Sequence, residues 1–355
     1  MPDALTLHRI KKVEPVWVGQ LCLGPGFPIY VQTMWKGLLP TSEEGLLEEI
    51  RRLEGKGCQI LRFAVQRTEE AELLGRLQQK ISMPLVADIH FDYRLALAAI
   101  RAGVAKVRIN PGNIGSPFKV AEVFRAAQDH NIPIRVGINA GSLPRALRRE
   151  GNLVSAMLKA AEDELELLEK FSFKQAVFSF KSSSVLETIA VNRAFRSRYT
   201  YPLHLGLTEA GPLLQGAVKN TAAIFTLLAE GIGETIRVSL TDDPHLELST
   251  AYAILKALGF PVARINLVSC PTCSRTVFPV RTFYERIQGQ LVQLNKDLTI
   301  AIMGCPVNGP GEASHADLGI SGTKKEVIIF KHGRIIRREL MENAEKAFLE
   351  ELAKL

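Results

Sequence analysis

Three cysteines near the end of the chain are the residues whose spacing most directly indicates chemistry. Cys270 and Cys273 form a Cys-x-x-Cys pair, and Cys305 lies in a glycine- and proline-rich run at residues 303–312. Two thiolates separated by two residues converge on a metal from a tight turn, and a third cysteine closes the site from another loop. Because Cys270 and Cys305 each precede a proline, as the last cysteine of ferredoxin-type motifs does, the pattern favours an iron–sulfur cluster.

The fourth ligand of such a centre has to be another residue type, because the second half of the chain contains no further cysteine. Glu312 closes the glycine- and proline-rich run and is the candidate oxygen ligand. A structural zinc site completed by His315 or His332 is the alternative that the residues leave open. A disulfide within the Cys-x-x-Cys pair is disfavoured, because nothing in the sequence indicates secretion.

Length and composition predict a globular chain with a large core. The chain has 355 residues, of which 46% are hydrophobic, so we expect one large domain and one smaller domain. We find no apolar signal core at the N-terminus and no run of about 18 apolar residues that would span a membrane. Five cysteines, unevenly placed, fit a reducing cytoplasm, with Cys22 and Cys58 as packing residues among apolar neighbours.

The net charge of +7 is modest, and its distribution argues against nucleic acid as a partner. Lysine and arginine are spread over the predicted helices without interleaved aromatic residues, which a nucleic-acid surface would use for stacking. An acidic small-molecule substrate is therefore the expected partner of the positive charge.

Short apolar runs alternate with amphipathic stretches along most of the chain, which predicts an α/β fold. The eight runs lie at 29–33, 60–65, 85–89, 105–109, 134–138, 175–180, 203–207 and 235–238. Helical patterns between them include 43–56, 93–102, 118–130, 152–170, 184–198 and 216–231. Eight such strand–helix units predict a (β/α)8 barrel. An open doubly wound sheet is the alternative, but no G-x-G-x-x-G follows the first run.

A barrel of this kind places its functional side chains at the C-terminal ends of the strands. The polar residues at those ends are Arg62, Gln66, Asp88, His90, Arg108, Asn110, Arg135, Asn139, Lys181, His204, Glu209, Arg237, Ser239 and Thr241. Cations outnumber carboxylates in this set, and arginine matches phosphate oxygens with a planar fork of donors, so a diphosphate substrate is expected. For each arginine a structural ion pair with a buried acid remains the alternative. Glu209 is either a proton donor or base, or the partner of an arginine.

A second, smaller α+β domain follows a boundary that we predict near residue 262, which gives domains 1–262 and 263–355. A strand at 265–269 leads into Cys270, and a helix at 280–294 and a strand at 298–303 lead into the run with Cys305. A hairpin of 326–330 and 334–338 is predicted to turn at His332 and Gly333, before a closing helix at 339–355.

Eight sequence blocks together resemble the 4-hydroxy-3-methylbut-2-enyl diphosphate synthase family. They are VQTM at 31–34, ADIHF at 87–91, RINPGNIG at 108–115, RVGINAGSL at 135–143, PLHLGLTEAG at 202–211, RVSLTDDP at 237–244, CPTC at 270–273 and MGCPVNGPGE at 303–312. The blocks occur in order over residues 8–350, and the length resembles the two-domain bacterial form. The resemblance implies a TIM-type barrel joined to a domain similar to part of sulfite reductase.

The resemblance also implies the reaction and its participants. The substrate would be 2-C-methyl-D-erythritol 2,4-cyclodiphosphate, reductively opened and dehydroxylated to 4-hydroxy-3-methylbut-2-enyl diphosphate for isoprenoid synthesis. Two electrons would arrive singly through a [4Fe–4S] cluster, with flavodoxin or ferredoxin as the donor. The family implies a homodimer with an active site between chains. The residues at 259–269 also favour it, because about ten residues span at most ~36 Å, too little to bring the cysteines round the same barrel without strain.

Residue roles follow from the positions that match the family's motifs. Cluster ligands would be Cys270, Cys273, Cys305 and Glu312. Substrate would contact Arg62, His90, Arg108, Arg135, Asn139, Lys181, His204, Arg237 and Ser239, with Glu209, Glu312 and Asn308 as catalytic residues. The chain departs from the family at residues 35–40, where a polar stretch is usual, and at Ser274, where glycine is usual. Other interpretations are a different cluster-containing barrel reductase and a zinc-stabilised protein that binds anions or nucleic acid.

Overall fold

The computed structural model describes residues 13–39, 43–143, 147, 152–294, 296–306, 309–323 and 325–355. The chain forms two compact units, one ending at Ile254 and the other spanning Leu255–Leu355. The predicted boundary near residue 262, and the domains 1–262 and 263–355 that it defines, stay predictions.

The first unit is a parallel barrel preceded by a hairpin of β1 (Val16–Val18) and β2 (Leu21–Leu23). The barrel strands are β3 (Tyr30–Met34), β4 (Ile60–Ala64), β5 (Leu85–Ile89), β6 (Lys106–Ile109), β7 (Ile134–Asn139), β8 (Ala176–Lys181), β9 (His204–Leu205) and β10 (Thr235–Ile236). They pair in the order β8-β7-β6-β5-β4-β3-β10-β9, and a parallel bridge between Phe178 and Leu203 joins the two ends. Each of the eight predicted runs overlaps a strand, and the predicted (β/α)8 fold is confirmed.

Helices follow the strands on the outside of the barrel. They are α1 (Glu43–Gly55), α2 (Thr68–Gln78), α3 (Tyr93–Ala102), α4 (Pro111–Ile114), α5 (Pro117–Asp129), α6 (Leu153–Lys170), α7 (Val185–Arg198), α8 (Leu213–Ala229) and α9 (Pro244–Ala257). Local sequence sets their ends: the Asp92 side chain accepts a hydrogen bond from the Arg94 backbone N–H before α3. Gly103, with φ of +82°, then ends α3 in the left-handed conformation that favours glycine.

The β1–β2 hairpin fills the N-terminal end of the barrel. Val16, Val18 and Leu23 of the hairpin form one buried cluster with Tyr30 and Val86, which lie near the starts of their strands. The sequence analysis did not predict this plug. This apolar cluster closes one end of the lumen, and most of the polar side chains of the strands lie toward the other end.

The second unit is a five-stranded sheet in the order β11-β12-β13-β14-β15, parallel from β11 to β13 and antiparallel from β13 to β15. The strands are β11 (Asn266–Ser269), β12 (Thr299–Met303), β13 (Leu318–Gly322), β14 (Glu326–Lys331) and β15 (Arg334–Leu340). The helices are α10 (Val280–Gln293), α11 (Gly309–Glu312) and α12 (Ala344–Leu352). Phe283 of α10 and Phe348 of α12 share one buried core with the sheet. This unit is the small α+β fold that the sequence predicted.

The C-terminal segment corrects one prediction. The expected hairpin is present and turns at His332 and Gly333, which both have positive φ. The closing helix, however, begins at Ala344 and not at residue 339. Glu339 pairs with Val327 in the sheet, so strand pairing overrides the helical pattern at this position. Strand β13 was not predicted, because glycine at Gly319 and Gly322 weakens its strand signal.

Candidate active site

The cations predicted at the barrel mouth lie inside the barrel and are almost fully buried. Arg62, Arg108, Arg135, Lys181 and His204 are between 0% and 8% exposed. They project from five different strands, because alternate residues of each strand face the lumen. The structure therefore brings together side chains that are up to 142 residues apart in the sequence, between Arg62 and His204.

Asp88 of β5 is the counterion of two of these arginines. Its carboxylate accepts a hydrogen bond from Arg108 Nη1 at 2.8 Å and lies 3.4 Å from Arg62 Nε. His90 Nε2 is 3.5 Å away on the exposed side. Burial opposes ionisation of this carboxyl, but the charges of Arg62 and Arg108 outweigh it and hold the pKa of Asp88 well below its ordinary value. Arg62 and Arg108 therefore form the structural ion pair with a buried acid that the sequence left open as the alternative.

Glu247 of α9 is the second buried acid, and the sequence analysis did not name it. It accepts hydrogen bonds from Arg237 at 2.9 and 3.2 Å and from Thr33 Oγ1 at 2.7 Å. Lys36 Nζ lies 3.1 Å from the same carboxylate. Glu247 lies on a helix and not at a strand end, so the pattern of polar residues at strand ends does not indicate it.

Three buried cations have no carboxylate partner among the residues that the structure describes. They are Arg135, Lys181 and Lys106, and neither Nε nor Nη1 of Arg135 has a hydrogen-bond partner there. Burial, together with the neighbouring arginine charges, lowers the pKa of Arg135 and of Lys181 well below the ordinary values. An unpaired buried charge is costly, and an anion bound among the three restores the balance.

Two glycines make room for these cations. A Cβ at Gly137 of β7 would lie 2.6 Å from Arg108 Nε, and one at Gly206 would lie 2.9 Å from Lys181 Nζ. At Gly137 a side chain would displace the guanidinium, whereas at Gly206 it would first meet the Arg237 carbonyl oxygen, which lies closer still to the added Cβ. The glycines in the RVGIN and HLGL blocks thus leave the space in which the guanidinium and ammonium groups stand.

The remaining predicted barrel residues surround this cluster. His204 Nδ1 lies 2.8 Å from Thr235 Oγ1, and burial followed by the Arg135 charge lowers the pKa of His204, so its imidazole is neutral near pH 7. Ser239 follows β10 and is half-buried. Glu209 is exposed, and no ion pair to it occurs among the described residues. Its φ of +54° is uncommon for a residue with a side chain, and such strain is often found at functional positions.

A cavity of about 520 Å³ opens beside the mouth, but it is not the cationic lumen. Asn110, Asn139 and Ser142 line one side, where Asn110 Nδ2 donates to Ser142 Oγ at 2.6 Å. Glu164 of α6 lines the other side, and burial raises its pKa to about 8. Predicted substrate residue Asn139 is thus shared between this cavity and the inner face of β7.

The atypical loop at residues 35–40 contributes to the mouth through Lys36, which reaches Glu247 as described above. Trp35 stacks on Phe63 with ring centroids 5.6 Å apart. Lys36 Nζ also donates to the Leu240 carbonyl at 3.0 Å. Pro40 lies outside the described residues. In place of polar side chains, this loop therefore supplies one further cation next to Arg237.

In the second unit, Cys270 and Cys305 follow two adjacent parallel strands, β11 and β12, and therefore lie at the same sheet edge. The Gly304 backbone N–H donates to Cys270 Sγ at 3.0 Å. A Cβ at Gly304 would lie 3.0 Å from that sulfur and 2.8 Å from Thr276 Cγ2. Only a glycine leaves this approach open, which explains the Met-Gly-Cys sequence.

Arg275 interacts with the remaining candidate cluster ligands. Its backbone and side-chain N–H groups donate to Cys273 Sγ and lower the pKa of that thiol. Cys273, Cys305 and Glu312 each raise the pKa of Arg275, so all three lie within electrostatic reach of one guanidinium. The three predicted cysteines and Glu312 are thus linked through Gly304 and Arg275. Asn308 lies outside the described residues.

The donor set fits an iron–sulfur cluster. Among the described residues, no three His, Cys, Asp or Glu side chains are placed to hold a single metal ion. Zinc requires its thiolates within about 2.3 Å of one point, whereas each thiolate of a four-iron cluster binds a different iron. Soft thiolates at a hydrogen-bonded sheet edge suit iron and sulfide. Cys22 and Cys58 are buried in the first unit, and burial raises the pKa of Cys58 to about 12, as for a packing residue.

A parallel barrel whose buried cations include some without a carboxylate partner in the described residues, and a second unit with three cysteines on neighbouring loops, define a class: an anion-binding barrel enzyme with a thiolate-rich domain. Residues 13–252 match the family model described as the GcpE TIM-barrel domain, and residues 266–354 match the GcpE protein C-terminal domain. No helix in the described part of the chain has the length and apolar character needed to cross a bilayer.

Relatives match over nearly their whole length. A 4-hydroxy-3-methylbut-2-en-1-yl diphosphate synthase (flavodoxin) of Thermodesulfovibrio yellowstonii is 43% identical, covering 97% of this chain and 99% of the relative. Proteins of the same name are 46% identical in Treponema denticola (98% and 100% covered) and 42% identical in Ruminiclostridium cellulolyticum (100% and 100%). The chain belongs to the GcpE family of 4-hydroxy-3-methylbut-2-en-1-yl diphosphate synthases, which confirms the family predicted from the sequence.

Proposed function

We propose that this protein catalyses the reductive ring opening and dehydroxylation of 2-C-methyl-D-erythritol 2,4-cyclodiphosphate to 4-hydroxy-3-methylbut-2-enyl diphosphate. Family membership supports the product, because the relatives are named as synthases of that diphosphate. The single observation of the structure that carries the proposal is the buried excess of positive charge in the barrel. The protein is accordingly an oxidoreductase of isoprenoid precursor synthesis.

The lumen binds the diphosphate. Asp88 offsets one charge of the pair Arg62 and Arg108, and Glu247 offsets one charge of the pair Arg237 and Lys36. The substrate must therefore balance the remaining charge of these pairs together with that of Arg135 and Lys181. Arginine offers two parallel donors to a phosphate oxygen pair, and a desolvated site strengthens each contact. Ser239, Asn139, His90 and the neutral His204 are proposed to supply further hydrogen bonds to the substrate. The paired acids fix the arginine side chains before the substrate arrives.

Glu209 is the proposed proton donor to the departing hydroxyl. It is exposed at the mouth and unpaired within the described residues, so it is free to approach a bound substrate. Its left-handed backbone holds the side chain on a short turn between β9 and α8. A positioned carboxylic acid contributes about 10²–10⁴-fold to such a step.

Cys270, Cys273, Cys305 and Glu312 hold the proposed [4Fe–4S] cluster. When bound, the cluster supplies single electrons and an iron that accepts an oxygen ligand. Arg275 keeps the Cys273 thiol ready for ligation by favouring its thiolate. Glu312 would hold the fourth iron through a carboxylate oxygen beside the three thiolates, a ligand type that exchanges more readily than a thiolate, and Asn308 is proposed to face the substrate there.

The electron donor is proposed to be a flavodoxin, which the relatives' names specify, with ferredoxin as the other one-electron carrier. A reducing cytoplasm is the proposed location, since the thiols must stay reduced to bind iron.

We also propose a homodimer whose active sites lie between chains. Helix α8 presents an exposed apolar stripe on the barrel unit: Leu214 is 78%, Val218 64% and Phe225 38% exposed. A second copy of the chain would bury these side chains against the same stripe in a two-fold contact.

The decisive experiment is an anaerobic assay. Purified protein with iron and sulfide bound is incubated with the cyclodiphosphate and a low-potential reductant, and product diphosphate is measured. Metal analysis of the same sample separates the classes: zinc without iron or sulfide, together with no turnover, would contradict the proposal and favour a zinc-stabilised binding protein.

A further inference from the structure

Lys106 is a buried cation at the start of β6 to which the family motifs assign no role. It is 0% exposed, and its Nζ has no hydrogen-bond partner among the described residues. Buried lysine is normally paired, because an ammonium group without an acceptor loses its hydration and gains nothing in exchange. A structural role would need such an acceptor on a neighbouring strand, and the described strands provide none.

The position of Lys106 places its side chain in the lumen, below the arginines. It lies two residues before Arg108, and alternate residues of a strand share one face. Its register partner on β5 is Val86, which belongs to the apolar plug. Burial, followed by the charges of Arg135 and Arg62, lowers the pKa of Lys106 well below its ordinary value. The ammonium group thus lies within electrostatic reach of two site arginines, at the base of the site.

Neither of the buried acids that the structure describes in the lumen pairs with Lys106, so a bound anion would have to supply its counter-charge. Asp88 is shared by Arg62 and Arg108, and Glu247 by Arg237 and Lys36. Other buried polar atoms of the lumen also lack partners in the described residues. They are the side-chain nitrogen and oxygen of Gln32, His204 Nε2, Nε and Nη1 of Arg135, and Nε of Arg62 and of Arg108. With Lys106, these unpartnered polar atoms belong to the five strands β3, β4, β6, β7 and β9, which indicates a polar guest that reaches this depth.

We propose that Lys106 is an additional substrate-binding residue, whose ammonium group forms the floor of the anion site and binds the deepest diphosphate oxygens. This inference rests on the proposed function, since it takes the diphosphate as the guest. Lysine suits the base of the site because it is a compact point charge on a flexible stem. The planar guanidinium of arginine, in contrast, needs phosphate oxygens that lie in its plane.

The inference predicts opposite effects on stability and on binding. Removing the charge relieves repulsion from Arg135 and Arg62 in the ligand-free protein. Methionine keeps the length and apolar stem of lysine, so packing is retained. A residue kept for packing alone would not show a gain in one property and a loss in the other.

The test measures the affinity for inorganic diphosphate by calorimetry, on the full-length, anaerobically purified protein. We expect Lys106→Met to weaken binding about tenfold or more, the usual cost of a lost charged contact, while the ligand-free protein melts at the same or a higher temperature. A Kd within twofold of the wild type overturns the inference. So does weaker binding with a melting temperature lower by more than about 5 °C, which indicates a packing role.

Two further variants keep the test decisive. If Lys106→Met does not fold, Lys106→Gln is judged by the same two criteria. Lys106→Ala is then titrated with ethylammonium, which replaces the missing charge. Recovery of diphosphate affinity supports the inference, and its absence in a folded Lys106→Ala that binds weakly counts against it.

Arg135→Met distinguishes failure of this inference from failure of the proposed function. If the wild type does not bind diphosphate, the proposed function and the inference fall together. If Arg135→Met loses affinity and Lys106→Met keeps it, the lumen is the diphosphate site and Lys106 alone has been misassigned.

Discussion

In the barrel lumen the functional groups project from strands and are buried, whereas the three thiols of the second unit lie on loops at a sheet edge. Arg108 and Arg135 are register partners on neighbouring strands, so sheet pairing fixes their spacing before any ligand binds. Cys270, Cys273 and Cys305 range from buried to exposed, and no three ligands in the described residues are set for a single ion.

The difference shows two ways of preparing a site. Strand pairing positions the side chains of the lumen before any ligand binds. This arrangement buries charges without a counterion in the described residues, which lowers the stability of the ligand-free barrel. The cysteine loops supply donors whose final arrangement depends on the group they bind, as is usual where metal binding and folding are coupled. Substitutions in the two regions should therefore give different signatures.

The largest expected effect is complete loss of the cluster. Cys273→Ala should remove the visible charge-transfer absorbance and all turnover, because two cysteines and one carboxylate do not retain four irons. Affinity for inorganic diphosphate should persist, since the lumen does not depend on these loops. Absorbance spectra, iron content and calorimetry report the three quantities.

Cys22→Ala and Cys58→Ala are the matched controls, because both thiols are buried in the barrel unit. Each should keep the colour. Loss of colour in these two variants, with retention in Cys273→Ala, would reverse the ligand assignment.

Glu209→Gln should reduce kcat by about 10²–10⁴-fold while leaving the cluster spectrum and diphosphate affinity unchanged. The amide keeps the size of the side chain and removes the proton. Steady-state kinetics under anaerobic conditions give kcat and KM separately. A rise in KM at constant kcat would assign Glu209 to binding and not to proton donation.

Asp88→Asn should destabilise the barrel by about 3–5 kcal/mol, since two buried arginines lose their counterion. The pKa of Asp88 is depressed in the folded state, so its contribution is complete above the unfolded value of about 3.9 and is lost as pH falls through the folded value. The gap between wild type and variant, measured by denaturant unfolding, should thus narrow only below about pH 4. An equal gap at every pH would indicate a packing defect.

The smallest effect is expected in mixed dimers. Glu209→Gln lacks a working barrel and Cys305→Ala lacks a working cluster, so one site of a mixed dimer collects both defects and the other has neither. Random pairing makes half of the dimers mixed, and co-expression of equal amounts should recover about a quarter of wild-type activity. If isolated mixed dimers are no more active than the separate mutants, each active site is built within one chain.

Much of this protein could be predicted from its sequence because the signals are local. Apolar runs of strand length located all eight barrel strands, and the polar residues at the ends of those runs named Arg62, Arg108 and Arg135 as residues of the barrel mouth. The Cys-x-x-Cys pair and the run with Cys305 likewise indicated thiolate chemistry from spacing alone. Backbone periodicity and motif spacing extend over a few residues, so they can be recognised without a fold.

Pairing between distant residues was decided by the tertiary structure. Nothing near Glu247 in the sequence indicates that its carboxylate accepts from Thr33, which is 214 positions away. Strand alternation places Lys106 on the same face as Arg108. Only the closed barrel shows that Asp88 and Glu247 pair with arginines and not with Lys106. The closing helix was predicted too early for the same reason, because β14 pairs with Glu339 and keeps it in the sheet. Charge compensation and strand pairing depend on which neighbours the fold brings within a few ångströms, and that information is absent from any single stretch of the chain.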